Sequence, residues 1–477
     1  MNRSLNFLWL SLALFVVLCL AFLLPIEPHD YWLYLRIGQD TLHLGTVPRY
    51  DTLTFSRAGQ PVFYQAWLAA LIFWLTYAAG GLTLTFLLRA LLLALTYACL
   101  WQWMRHQGAG PRLSSLLLLL AALAGSNNWS LRPQIFAYPL FTATLGVLWN
   151  WQRGKNRTLW LLPLLSALWV NLHGSFVLLF LLAGLAWLLG EGNRTSLFRW
   201  TGLALLATLL NPRGIEVFGY VTAMLRSPAD QLFSAEWRPP LNEGWQMNLF
   251  FAWLLLFIPL VAFSPRRFSR LEWGWFLALG WLALSGLRYV IWFLNLLAVL
   301  TAALLQDFGL RWLDRPPEKI RPPLNFVTGS LLLLLPLSLL PGLRSAWWPA
   351  APAPYSLPNT PVTATRWLAE HPNLPGPLWS GYVFGSYLSF ALPSRPVWID
   401  TRFYLYPPSQ WQRYQAIARA EYNWETLLAE EKVNLLMISV VNEPRLLEAV
   451  SLSPHWCLQY RDAYAAIYLR CVVGGAP

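Results

Sequence analysis

Residues 63–79 read FYQAWLAALIFWLTYAA. The stretch is apolar enough to cross a hydrocarbon core, yet it carries Tyr64, Trp67, Trp74 and Tyr77, side chains that favour the boundary between lipid and water. Whether it spans or lies flat sets the side of every later loop. Taken as a span, it puts Arg105–Arg112 and Trp151–Arg157 outside and reverses the charge bias downstream. Taken as a helix along the outer surface, it leaves a consistent topology, and we adopt that reading.

Working back from this stretch, Asp30–Leu44 predicts another surface helix, ended by Gly45 and Pro48. Before it, the apolar run Phe7–Leu24 follows a basic start at Arg3. No small-residue cleavage site follows the run, and the chain continues Leu24-Pro25-Ile26-Glu27, which predicts an uncleaved helix. Working forward, Leu-rich runs recur as far as Leu343. The expected spans are 7–25, 82–104, 113–129, 135–151, 158–172, 175–191, 197–210, 247–263, 272–286, 289–307 and 324–342. The fold class is thus a polytopic helical membrane protein of about eleven spans with two surface helices in the outer loop 26–81.

Composition agrees. Of 477 residues, 57% are hydrophobic and 12% charged, whereas soluble domains carry roughly a quarter of their residues charged. The net charge of +12 invites a nucleic-acid partner, and its placement argues against one. Fifteen basic residues fall in the inner loops: Arg3, Arg105, Arg112, Arg153, Lys155, Arg157, Arg194, Arg199, Arg266, Arg267, Arg270, Arg311, Arg315, Lys319 and Arg321. Eight fall in the outer segments before Leu343. That asymmetry places the N-terminus in the cytoplasm of a plasma-membrane protein and favours anionic membrane lipids as neighbours.

After the helical domain, 1–343, comes a Pro-rich linker, 344–361, and then a region, 362–477, with the pattern of a small extracytoplasmic α/β domain. Val397–Ile399, Leu435–Ser439, Cys457–Tyr460 and Ala465–Leu469 are strand-like, while Gln410–Ala420 and Trp424–Glu431 are helical. Cys457 and Cys471 flank the terminal hairpin and can pair in an oxidising compartment, although sequence does not supply the Cα separation a disulfide needs. Cys19 and Cys99 lie in apolar spans, and no Cys/His spacing resembles a zinc site. The 29 Trp are expected mainly in interfacial belts, with Trp32, Trp237 and Trp245 as candidates to stack on sugar rings.

Under this topology the unusual polar clusters share the outer face. They are Glu27-Pro28-His29-Asp30, Arg49-Tyr50-Asp51, Arg132-Pro133-Gln134, Asn171-Leu172-His173-Gly174, Asn211-Pro212-Arg213-Gly214, Glu236-Trp237-Arg238 and Arg288-Tyr289. Each on its own reads most simply as a cap or a headgroup anchor; seven on one face suggest a site. Asp30 can accept a proton from an incoming hydroxyl, or cap the helix that follows. Arg132, Arg213 and Arg288 can each fork onto phosphate oxygens, or snorkel to headgroups. Gln134, Asn171 and Tyr289 accompany them as candidate binding residues, and His173 can orient a phosphate or hydroxyl.

These stretches resemble the GT-C superfamily of membrane glycosyltransferases. The resemblance rests on Asp30-Tyr31-Trp32-Leu33 with Gly38, Gly45, Pro48 and Asp51, on Gln65-Ala66-Trp67-Leu68, and on the outer-face motifs above. Ser380-Gly381-Tyr382 and Ile399-Asp400-Thr401-Arg402 complete it. The layout is similar to that of protein O-mannosyltransferases and aminoarabinose lipid A transferases, and more closely to an uncharacterised bacterial group. The resemblance implies inverting transfer of a sugar from a polyprenyl-phosphate donor to an unknown glycan, lipid or protein acceptor at the outer face. It puts Asp30 in the position of the base. Two features depart from the family. His29-Asp30 replaces an adjacent acid pair, and the second outer loop, Ser126–Gln134, has no acidic residue. Glu236 stands as the candidate second acid. A divalent metal is compatible with the family, but no clear ligand set for one is visible. Two other classes are a transporter or flippase of lipid-linked saccharide, for which Arg89 is the one clear charge within a span, and a non-catalytic membrane scaffold.

Overall fold

The computed structural model describes residues 3–27, 30–227, 231–232, 234–308 and 321–471. His29 of the first polar cluster, and Arg311, Arg315 and Lys319 of the loop expected on the inner side, lie outside the described residues.

The chain divides into two compact units. One comprises Met1–Leu24, Thr76–Gly219 and Ala235–Ala351, the other Pro25–Leu75, Tyr220–Ser234 and Pro352–Pro477. The first unit is helical, and each of the eleven apolar runs forms a helix. Among the described residues, five helical segments are long and apolar enough to cross a membrane: Arg3–Leu23, Trp67–His106, Gly244–Phe263, Leu287–Asp307 and Pro322–Leu339. Others are shorter, such as Leu161–Leu172 and Val177–Leu189.

Trp67–His106 is not one straight rod. Gly80 and Gly81 leave the helical region inside it, with Gly81 at φ 57° and ψ −147°. That conformation is open to glycine and strained for any residue with a Cβ. The break separates the stretch ending at Ala79 from the helix that follows.

Val290–Asp307 runs through the middle of the helical unit, buried on every side down to Leu304. Trp292 on this helix packs against Tyr138, Phe141 and Trp169. Trp129, Trp151, Trp169, Trp275 and Trp292 are fully buried, so many indoles here build the core as well as the interface. Buried indole N–H groups here find partners inside: Trp253 donates to Thr301 at 3.1 Å and Trp275 to the Leu182 carbonyl at 3.1 Å. Gly146 leaves room for Trp103, whose ring would overlap a Cβ at that position.

Arg89, within the second apolar helix, is fully buried. Its Nη2 donates to the carbonyls of Ala21 and Leu24, at and just beyond the end of Arg3–Leu23. A helix end leaves such carbonyls without intrahelical partners, and a guanidinium satisfies them while favouring the helix dipole.

The second unit holds a four-stranded mixed sheet in the order β1-β2-β4-β3. β1 (Leu378–Ser380) runs parallel to β2 (Leu435–Ser439). β4 (Ala465–Arg470) pairs antiparallel with both β2 and β3 (Trp456–Arg461). The two terminal strands fall on the two strand-like runs expected to form a hairpin, and Cys457 and Cys471 form a disulfide across a Cα separation of 5.5 Å. Val397 extends the sheet by bridges to Leu378 and to Thr54.

Thr54 belongs to the loop 26–81, which shares a core with the sheet: Leu33, Ile37, Leu53, Val62 and Tyr64 pack in one cluster with Trp379, Trp398 and Trp411. A buried ion network reinforces the join. Arg402 Nη1 reaches Asp51 at 2.6 Å and the Tyr64 hydroxyl at 2.7 Å, while Nη2 reaches Asp400 at 2.5 Å. Asp51 also accepts from the Leu53 and Thr54 backbone and the Thr54 hydroxyl. Burial alone would lower the Arg402 pKa; Asp400, with Tyr64 and Tyr406, outweighs it and holds the guanidinium charged. Two of the quoted motifs, Asp51 and Ile399-Asp400-Thr401-Arg402, are therefore partners in one structural lock.

Candidate active site

In the helical unit, several of the expected residues meet at helix ends. Gly286 ends the helix Arg270–Ser285, and the 3-10 turn Leu287–Tyr289 leads into Val290–Asp307. Arg288 sits in that turn, its guanidinium 4.6 Å from the centre of the Trp237 ring. Such a cation–π contact holds an arginine without occupying its donors. Tyr289 meets the same indole edge-on at 6.2 Å. The Leu287 backbone N–H donates to the Arg238 carbonyl at 2.9 Å, tying the turn to the Ala235–Trp237 segment. A Cβ at Gly286 would lie 3.0 Å from the Tyr289 ring and 3.5 Å from the Trp237 carbonyl, so the close approach suits glycine.

Gln134, at the first position of the helix Gln134–Gln152, donates to the Arg288 carbonyl at 3.2 Å. Two residues earlier, Arg132 donates to Glu236 in a partly buried ion pair. Arg132, Gln134, Glu236, Trp237, Arg288 and Tyr289, drawn from three separate parts of the sequence, are thus linked. Glu236, the expected second acid, is thus committed to the Arg132 guanidinium.

His173 joins through electrostatics. It ends the helix Leu161–Leu172, and its Nδ1 accepts from the Ser175 backbone N–H at 3.1 Å. The Ser175 hydroxyl lies 2.7 Å from the same nitrogen and accepts from Trp169 Nε1 at 3.0 Å. Burial, and then the positive charge of Arg288, push the His173 imidazole down to about 3. It is neutral at working pH, and with Nδ1 accepting, the proton resides on Nε2. His173 is therefore built as a hydrogen-bond donor rather than a base.

Two expected residues are engaged differently. Asn171 donates to the Ala167 carbonyl and accepts from Asn211, a buried pair that ties two helix ends together. Arg213 turns to Glu216 three residues on, at 2.7 Å. Among the described residues no group of three or more His, Cys, Asp or Glu forms a metal site. A cation at Glu236 would compete with Arg132 for its carboxylate.

Asp30 belongs to the second unit. It stands at the N-cap position of the helix Tyr31–Leu44, where its backbone carbonyl accepts from Tyr34 at 2.9 Å, but its carboxylate makes no capping hydrogen bond. The helix closes at Gly45, φ 64°, as its sequence predicted. Gly38 lies against the Ala70 carbonyl, where a Cβ would come within 2.1 Å.

The support that Trp237 gives Arg288 was not legible as such; the sequence offered Trp237 only as a possible sugar platform. Ser175, which sets the His173 tautomer, carried no signal beyond its place after His173-Gly174.

No family model matches the chain, and no curated protein matches it. Solved structures do. The archaeal oligosaccharyltransferase AglB from Archaeoglobus fulgidus, in complex with an inhibitory peptide and a dolichol-phosphate, aligns over 98% of this chain and 75% of its own. Its TM-score is 0.60 at 11% identity. ArnT from Cupriavidus metallidurans, bound to undecaprenyl phosphate, aligns over 98% of both chains with TM-score 0.52 and 15% identity. The mycobacterial arabinofuranosyltransferase AftD aligns over 99% of this chain and 40% of its own, with TM-score 0.54 and 16% identity. These are GT-C glycosyltransferases, and the chain has their fold, that of a multi-pass membrane protein.

Proposed function

We propose that the protein is a glycosyltransferase of the cell envelope that moves a sugar from a polyprenyl-phosphate donor to an acceptor at the outer face of the membrane, with inversion. The observation that carries this is the Arg288 cluster, a guanidinium held by an indole beside a neutral imidazole donor, in a chain of GT-C fold.

The chemistry is a single displacement. An acceptor hydroxyl attacks the anomeric carbon as its proton passes to Asp30, the general base. The bond from that carbon to the phosphate oxygen breaks, and the polyprenyl phosphate leaves with the electron pair. Arg288 and the Nε2–H of His173 stabilise the charge that grows on the phosphate, where preformed donors act most strongly. Gln134 and Tyr289 hold the turn that presents Arg288. Arg132 supplies a second cation, moderated by Glu236.

The same reading assigns eleven spans, an inner N-terminus and an outer C-terminal domain. The disulfide supports the last point, since such bonds persist on the oxidising side. Arg89, the charge a transporter would use, serves carbonyls of the first helix instead.

The test is release of undecaprenyl phosphate from a panel of undecaprenyl-phosphate monosaccharides by the purified full-length protein in detergent. Arg288→Gln is expected to lower kcat by about 10²–10³-fold, the usual consequence of removing one transition-state donor. A correctly folded Asp30→Asn protein that transfers at the wild-type rate would remove Asp30 from the mechanism.

A further inference from the structure

The segment around Asp30 is held by the unit that contains the C-terminal sheet. On its N-terminal side, Ile26 forms a parallel bridge with Tyr355; the Ile26 N–H donates to the Pro354 carbonyl at 2.8 Å, and the Ser356 N–H to the Ile26 carbonyl at 3.1 Å. On its C-terminal side, Trp32 is 3% exposed and, besides the adjacent Tyr31 ring at 5.2 Å, meets three rings from residues 355–390. Tyr387 meets it edge-on at 5.1 Å, Tyr355 edge-on at 6.3 Å, and Phe390 stacks on it at 5.6 Å. The Trp32 indole N–H has no hydrogen-bond partner among the described residues, so packing alone seats the ring. Arg36, one turn on, donates to the Ser389 carbonyl at 3.4 Å from the same side.

The carboxylate of Asp30 does not cap its own helix, so the helix start by itself does not orient it. The chain near it is fixed by Ile26 before and Trp32 after, and both are anchored on residues 354–390. We propose that the ring clasp formed by Tyr355, Tyr387 and Phe390 on Trp32 is a positioning device for Asp30, through which the C-terminal domain acts on the reaction without touching the substrate. This rests on Asp30 being the base. A general base must stand within hydrogen-bond reach of the hydroxyl it serves, and a displacement of about 1 Å can cost on the order of 10²-fold in rate.

The test uses the full-length protein in detergent with the same undecaprenyl-phosphate monosaccharides, and a second readout that needs no turnover, the rate of carbodiimide modification of Asp30 followed by mass spectrometry. Tyr387→Ala combined with Phe390→Ala should lower kcat at least 10-fold while the donor KM stays within about 2-fold, and should change the labelling rate of Asp30. Tyr387→Phe, which keeps the ring, should match the wild type in both. Trp32→Phe provides a milder opening if the double variant does not fold. Wild-type kcat in a folded double variant overturns the positioning role. So does a loss in Tyr387→Phe as large as in the double variant, because packing would then not be the cause. The underlying assignment fails separately: full activity in Asp30→Asn removes the base, whatever the clasp variants do.

Discussion

His173 shows how one side chain's role follows from its surroundings. Free imidazole titrates near neutrality, and in a site it is the usual candidate for a base. Here burial and Arg288 depress it to about 3, and the Ser175 N–H takes up Nδ1. The imidazole stays neutral from about pH 4 upward and offers only an N–H. Replacing it should therefore change the rate without changing the pH profile. Undecaprenyl-phosphate release between pH 5 and 8 should have the same shape in wild type and in His173→Gln, with His173→Ala slower by about 10-fold or more. An acidic limb near pH 6.5 present in the wild type and absent in both variants would show that the imidazole titrates after all. The Arg213–Glu216 pair is the opposite case. Its spacing is local and could be read from sequence, whereas Arg132 finds Glu236 from 104 residues away.

At the scale of elements, the joints carry as much information as the helices and strands. Glu443, just after β2 and before the helix Pro444–Leu452, is buried against the head of the helix Tyr382–Ala391. A Cβ on Gly381 would come within 2.2 Å of its carboxylate, so glycine at that position makes the joint possible. The Glu443 oxygens accept from the Ser439 N–H at 2.8 Å and the Tyr414 hydroxyl at 3.0 Å. Burial outweighs both donors and pushes its pKa up to about 7. A carboxyl whose folded pKa lies above its ordinary 4.5 stabilises the fold at low pH, and that contribution is lost as pH rises from about 4.5 through 7. The loss amounts to roughly 3 kcal/mol. Thermal unfolding in detergent should show wild-type stability falling across this window relative to Glu443→Gln and running parallel to it above pH 8. Parallel curves across the whole range would show that Glu443 has the same pKa folded and unfolded. The break at Gly80–Gly81 is a joint of another kind, where backbone freedom rather than a side chain sets the turn.

Across the whole molecule, the lock around Arg402 joins positions 351 residues apart. Three charges are buried there, two of them carboxylates. Removing the guanidinium leaves both acids without their counter-ion, which costs more than the ion pairs themselves contribute. Arg402→Met should destabilise the second unit by about 3–5 kcal/mol, seen as earlier proteolysis of the C-terminal domain and a lower unfolding temperature. Arg402→Met with Asp51→Asn and Asp400→Asn should recover part of the loss. A single variant as stable as the wild type would mean that water or other donors replace the arginine.

What the sequence determined by itself was local. In lipid a backbone must satisfy its own hydrogen bonds, so each long apolar run could only become a helix, and every expected run is one. Gly45 stopped its helix because a left-handed residue was needed there. The terminal hairpin followed from two short strand-like runs, a property of neighbouring residues. The tertiary structure alone decided which charges pair and which rings close on Trp32. The chain holds 34 basic and 22 acidic residues, and no local pattern says that Arg402 takes Asp51 or that Arg132 takes Glu236. Those choices depend on which elements meet in space. In the same way, Asp30 stands where a cap was expected, but the cap is not made, and the rings that close on Trp32, two residues on, come from the far end of the sequence.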